Sequence, residues 1–267
     1  MIKKNWKMVV ENIKKKRFDI FYKAFLYLIF RFKTHEGFKV MEEEWDNLIV
    51  LDSCRYDVFE EVNFIPGELE KKTSSGTTTI QWLNQNFTEK YDDLAYLSTV
   101  NFVHPEKSSE ANYQLKPFNA SDHFTVIENI IEGDGIEKGK HLDARETTEK
   151  AIEFAKKHRE KRKIIHYTPP HLPFITSKYV EEHNYDTYEQ YLREGYKWEK
   201  LKKEYRETVR KTLEEVEKLV EELDGKTVIT ADHGEAHNEH YVKNHPHSIY
   251  IRPLIEVPWL EVKGEEQ

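Results

Sequence analysis

The sequence predicts an α/β protein with a mainly parallel central sheet and helices on both faces. Three observations predict it. Four short apolar runs recur along the chain. A long helical stripe precedes the last of them. Polar groups able to do chemistry stand directly after two of the runs. Helices alternating with buried strands build such a sheet, and its ligands sit beyond the carboxyl ends of the strands.

The first run is Asn47 to Leu51, which reads Asn-Leu-Ile-Val-Leu and ends at Asp52. A continuous apolar run of this length suits a strand buried on both faces. Leu94 to Ser98 is a second strand. Lys163 to Tyr167 is a third, after a helical stretch from about Ala144 to His158. Thr227 to Ala231 is a fourth. Leu201, Tyr205, Val209, Leu213, Val216, Val220 and Leu223 alternate at spacings of four and three, so they share one helix face. That stripe reads as core packing, with Gly225 as the helix stop.

A chain of 267 residues holds one large α/β domain, or one domain with a short appendage. An aromatic content of 13% argues against disorder. The net charge of −8 excludes nothing about small anionic substrates but gives no footprint for nucleic acid. Cys54 is the sole cysteine, which rules out an intrachain disulfide and a thiolate-rich zinc site. With no cleavable leader in view, the expected location is cytoplasmic, with association at the inner membrane surface.

The expected division is a basic amphipathic helical segment over 1–40 and a catalytic domain over 41–267. Lys3, Lys4, Lys7 and the Lys14 to Arg17 cluster lead into an aromatic-aliphatic run from Phe18 to Phe32. Asp19, Lys23 and Arg31 make that run too charged for a membrane span. Residues 3–32 suit peripheral contact with an anionic membrane. Packing of a first helix against the domain is the commoner use of such a pattern.

Five segments carry the chemistry. Thr230-Ala231-Asp232-His233-Gly234-Glu235 places an oxygen and an imidazole directly after a strand, a mixture borderline divalent metals favour. Asp52 offers another strand-end carboxylate. Arg55 either binds an anionic ester or pairs with Asp57. Thr73-Ser74-Ser75-Gly76-Thr77-Thr78-Thr79 is a hydroxyl-rich loop opening a short helix, where the helix dipole favours an alkoxide. Helix capping is the commoner use of such hydroxyls. His166 and His171 lie in and after a strand, in a loop stiffened by Pro169, Pro170 and Pro173. Asn244-His245-Pro246-His247 follows late in the chain.

In this order the segments resemble the alkaline phosphatase-like superfamily, and within it the sulfatase-like branch. The likeness runs from about Trp45 to Leu260, and Ala-Asp-His-Gly-Glu is its most specific part. Val257-Pro258-Trp259 also looks like that branch. The resemblance implies metal ligation by Asp52, Asp232 and His233, joined by Thr79 and His245. It implies a hydroxyl nucleophile, with Thr79 favoured by alignment on Trp82 and Thr77 and Thr78 as alternatives. His171 matches a histidine that meets the ester oxyanion or binds a second metal. Arg55 is a third catalytic candidate. Cys54 stands beside Asp52 and not on the nucleophile loop, so the formylglycine chemistry of true sulfatases is not expected.

The implied activity is metal-dependent hydrolysis of phosphate or sulfate esters through a covalent threonine intermediate. Manganese or zinc is favoured, and calcium also fits. The substrate is an anionic ester, small or linked to a glycan or lipid. Two alternatives accompany this: a transferase moving a phospho-group to a glycan or lipid acceptor, and a catalytically silent metal-binding scaffold.

Overall fold

The computed structural model describes residues 21–22, 24–30, 35–106, 116–131, 143–174 and 187–263. Its centre is a seven-stranded sheet in the order β2-β9-β6-β1-β5-β3-β4. The strands are β1 (Asn47–Leu51), β2 (Gly67–Thr73), β3 (Tyr91–Ser98), β4 (Phe124–Asn129), β5 (Arg162–Tyr167), β6 (Thr227–Thr230) and β9 (Glu256–Val262). β1 pairs in parallel with β5 and β6, and β3 in parallel with β4 and β5. β9 runs antiparallel to both β2 and β6. A separate two-stranded ribbon joins β7 (Ala236–His237) to β8 (Lys243–Asn244).

Side chains alternate across the sheet. Ile49, Leu51, Ile165, Tyr167 and Ile229 face one layer, where they meet buried residues of α4 (Ala144–Lys157) and α6 (Trp198–Val220). Leu48, Val50, Ile164 and Val228 face the other, against Trp82 and Leu83 of α3 (Thr79–Asn86). The central strand β1 is fully buried along its length, as its unbroken apolar run requires. The expected α/β class, mainly parallel with helices on both faces, is the one found.

Two expectations change. α6 ends at Val220, so Gly225 does not cap it. Gly225 has φ +90° and turns the chain into β6, with Asp46 packed against it. Tyr205 of α6 is also more than core: it reaches the turn after β1, as described below.

Most of the expected 1–40 segment lies outside the described residues. Within it, residues 21–22 and 24–30 are helical, and this is α1. Tyr22, Leu26 and Phe30 pack on Ala236, Val242, Ile249, Ile251 and Leu254. The remaining helices are α2 (Tyr56–Val62), α5 (Tyr188–Arg193) and α7 (Arg252–Ile255).

Candidate metal centre and active site

β1 and β6 lie side by side and run the same way, so the residues after them emerge together. Asp52 follows β1, and Asp232 with His233 follows β6. The turn at Ser53 adopts a left-handed conformation, φ 63°. It aims the Ser53 N–H at Asp232 Oδ1, 3.1 Å away, and lets Ser53 Oγ donate to Asp52 Oδ1 at 3.0 Å. The His233 N–H donates to the same Asp232 oxygen at 2.8 Å. Asp232 Oδ2 is left with no hydrogen-bond partner, although the residue is wholly buried.

An imidazole nitrogen faces that oxygen. His233 Nδ1 lies 2.9 Å from the Gly234 carbonyl, a contact only an N–H can make, so Nε2 keeps its lone pair. Nε2 stands 3.3 Å from Asp232 Oδ2, 3.6 Å from Asp52 Oδ1 and 3.4 Å from Thr79 Oγ1. Burial, and then the neighbouring His245, push the His233 pKa well down, which keeps the ring neutral. Burial first and Asp232 second push Asp52 up. Two buried carboxylates and an imidazole lone pair turned on one another are the ligand types a divalent cation favours. His166 Nε2 lies on the floor, 3.9 Å from Asp232 Oδ2, with Nδ1 against the Tyr96 hydroxyl at 2.9 Å. Its pKa is lowered to about 4, chiefly by burial. Asp52, His166 and Asp232 together form a group able to hold a metal ion.

The three threonines separate clearly. Thr77 Oγ1 is engaged with Gln81, the Pro246 carbonyl and the Ser248 N–H. Thr78 is the N-cap of α3 and accepts from the Gln81 N–H at 3.3 Å. Thr79 is the first residue of α3, and its hydroxyl is the one turned to His233. The Ser74 hydroxyl donates to the Asp232 carbonyl, tying this loop to the carboxylate loop.

A second cluster adjoins the first. His171, Glu235 and His245 bring ligand-type atoms within 4.8 Å of one another. The His245 ring lies 4.6 Å from the His233 ring and 5.1 Å from the His171 ring. His245 Nδ1 donates to Glu235 Oε2 at 3.0 Å, and Glu235 Oε1 is buried without a partner. Burial works against protonation of His245, but Glu235 outweighs it and raises the pKa. His245 thus belongs to this neighbouring cluster and not to the group around Asp52.

Arg55 takes the pairing role of the two open to it. Its guanidinium binds Asp57 through two nitrogens, at 2.8 and 2.7 Å, and Glu239 at 2.9 Å. A third contact, 3.2 Å to the Glu235 carbonyl, ties it to the loop after His233. Burial opposes its charge, yet Asp57 and Glu239 hold its pKa above the ordinary value. Gly234 fits the same crowding: a Cβ there would lie 2.1 Å from the Pro253 carbonyl oxygen.

Sequence reasoning gave no role to Glu235 or Tyr205. Glu235 was visible as the last residue of the Asp-His-Gly-Glu segment. Tyr205 was hidden in an apolar stripe. Its hydroxyl donates to the Ser53 carbonyl at 2.6 Å and accepts from the Arg55 N–H at 2.9 Å. Tyr205→Phe should therefore cost about 1–3 kcal/mol of stability and weaken cation binding, because the Asp52 turn loses both anchors. Thermal unfolding with and without added cation checks this.

No family model matches this sequence, and no curated protein does. Solved structures do. The C-terminal periplasmic domain of EcEptC from Escherichia coli, in complex with Zn, superposes with a TM-score of 0.52 at 14% identity, covering 86% of this chain and 76% of that one. The soluble domain of lipooligosaccharide phosphoethanolamine transferase A from Neisseria meningitidis gives 0.50 at 11% identity, covering 82% and 76%. The fold is alkaline phosphatase-like. At these identities the likeness is one of fold. It also overturns the expected cytoplasmic location, since a matching domain is periplasmic. A lone buried cysteine shows only that no intrachain disulfide forms, and it does not fix the compartment.

Proposed function

We propose that this alkaline phosphatase-like domain moves a phospho-group from an anionic ester to an acceptor alcohol, with Thr79 as the nucleophile. One observation carries the reading: the Thr79 hydroxyl, alone among the three threonines, faces the cluster of Asp52, Asp232 and His233. The fold shared with a phosphoethanolamine transferase domain favours transfer over hydrolysis.

Asp52, Asp232 and His233 would hold a divalent cation, with His166 beneath them and Thr79 at its edge. Such a cation lowers the pKa of a neighbouring hydroxyl and offsets charge on the ester. Zinc or manganese suits the oxygen and imidazole donors.

The chain's own residues do the rest. The Thr79 hydroxyl gives up its proton to solvent, and Oγ forms a bond to phosphorus as the bond to the leaving alcohol breaks, giving a phosphothreonine. Its place at the first residue of α3 lets the helix dipole favour the attacking oxygen. His245, held protonated by Glu235, gives its Nε2 proton to the leaving oxygen. His171 meets the ester oxyanion. An acceptor alcohol then attacks the phosphothreonine and gives its proton to His245 Nε2, the bond from phosphorus to Thr79 Oγ breaks, and both residues return to their starting state. Arg55 is a positioning residue that fixes the Glu235 loop through its carboxylate clamp.

The substrate class is an anionic phosphoester, lipid- or glycan-linked. The domain faces the periplasm or the cell exterior.

Transfer is tested by supplying a labelled phosphoester with and without lipid or sugar alcohols. Labelled acceptor product, formed only with cation, supports the reading. Release to water at the same rate with or without acceptor favours a hydrolase.

The pH dependence has a fixed sign. His245 is the proton donor and its pKa is raised above 6.5. The active form is therefore complete at lower pH and lost as pH rises through that raised value. A His245→Gln variant should lack this alkaline limb.

A further inference from the structure

We infer that the outer face of α1 docks on an anionic phospholipid bilayer beside the active site. Every described residue of this helix is uncharged: Phe21, Tyr22, Ala24, Phe25, Leu26, Tyr27, Leu28, Ile29 and Phe30. Lys23 is the one charged residue in the sequence from Phe21 to Phe30, and apolar residues on two faces of a helix need cover on both. Among the described residues the domain covers one side, where Tyr22, Leu26 and Phe30 pack. Phe21, Phe25 and Leu28 fall on the opposite face and are 69%, 55% and 58% exposed. With Tyr27 and Ile29 they make a contiguous apolar patch of the kind that marks a docking surface.

Charge selects the occupant. The first 33 residues carry ten Lys and Arg against two Asp and Glu, and the other 234 carry 31 against 47. The basic segment is drawn to an anionic surface, while the acidic body is repelled from it, which orients the domain. A second copy meeting this face isologously would set one basic segment against another.

The patch is continuous with the active-site loop. The Phe30 ring lies 5.7 Å from that of Tyr250, whose hydroxyl accepts from Gln81 Nε2 at 2.7 Å. Gln81 Oε1 accepts from the Thr77 N–H at 3.0 Å. His35, stacked on Tyr250 at 4.1 Å, contacts the Ser74 carbonyl at 2.6 Å. A bilayer bound at α1 would thus lie next to the loop bearing Thr79.

The inference stands apart from the proposed chemistry, because its test reads partition and not turnover. The full chain is floated with vesicles of phosphatidylcholine, or of phosphatidylcholine with phosphatidylglycerol, over a range of salt. It should float with the anionic vesicles, less with the neutral ones, and less as salt rises. F21S/F25S/L28S should lower the partition by at least about tenfold without lowering the unfolding temperature. Flotation of the triple variant equal to the parent would overturn the inference. So would a parent that binds neither vesicle, or a variant whose only change is loss of a dimer in ultracentrifugation.

Discussion

Thr79→Ala should lower cation-dependent phospho-transfer by at least about 10³-fold while leaving the bound cation in place. The residue has no second task in the fold comparable to its neighbours. Thr78 caps α3, and Thr77 is tied to Gln81, Pro246 and Ser248. Thr79 instead turns its hydroxyl to His233 Nε2 at 3.4 Å. Asp52, Asp232 and His233 remain in the variant, so metal content by mass spectrometry should match the parent. Thr79→Ser, which keeps an oxygen at the same place, should recover part of the rate. Thr77→Ala and Thr78→Ala should act on stability first. The N-cap change should cost about 0.5–2 kcal/mol. A rate that falls with Thr77→Ala or Thr78→Ala at full stability, but survives Thr79→Ala, would move the nucleophile.

The second large effect is Asp232→Asn. Cation affinity should fall by more than about 10²-fold, since a ligating charge is removed. The metal-free fold should become more stable. The pKa of Asp52 is raised by burial and then by Asp232. A carboxyl whose folded pKa lies above its unfolded value stabilises the fold fully below the unfolded value. That contribution is lost as pH rises through the folded value. The metal-free parent should therefore lose stability as pH climbs above about 3.8, the ordinary value for Asp52, through its raised value. The amide oxygen introduced by Asp232→Asn can still accept from the Ser53 and His233 N–H groups, so both hydrogen bonds survive. Removing the like charge should flatten the pH dependence and raise the metal-free unfolding temperature near neutrality by about 2 °C or more. Added cation should raise the unfolding temperature of the parent and leave the variant nearly unmoved.

Much of this site could be foreseen from the sequence, for a physical reason. β1, β5 and β6 are buried on both faces, so each carries adjacent apolar residues that announce it (Leu48 to Leu51, Ile164 and Ile165, Val228 and Ile229), and chemistry placed at its carboxyl end is visible beside it. The edge of the sheet was not legible. β2 reads Gly-Glu-Leu-Glu-Lys-Lys-Thr, with Leu69 its one large apolar residue, because it lies at the sheet edge and is half in water. β9 contains Pro258, which ordinarily counts against an interior strand. Here β6 pairs with β9 only from Val228 to Thr230, opposite Glu261 to Trp259, so Pro258 lies past the end of that ladder.

The same logic divides the site residues. Asp52, Asp232 and His233 follow strands and were legible. Three consecutive threonines differ only in how the start of α3 turns each hydroxyl, which no spacing reveals. Arg55 had two partners open to it, and the choice rests on Glu239 and Glu235, brought to it only by the packing of the β7–β8 ribbon. Tyr205 looked like one more member of a core stripe. Its hydroxyl has meaning only because α6 lies under the turn after β1.

The central claim is that a phospho-group passes through Thr79, and the most direct measurement is to trap it there. Cation-loaded protein would be mixed with a phosphoester, quenched in acid and digested, and its peptides mapped by mass spectrometry. The expected result is one added phosphoryl on Thr79, present with donor alone and discharged when an acceptor alcohol is supplied before the quench. Full turnover with no modified threonine, persisting in Thr79→Ala, would contradict it and point to direct attack by water or acceptor.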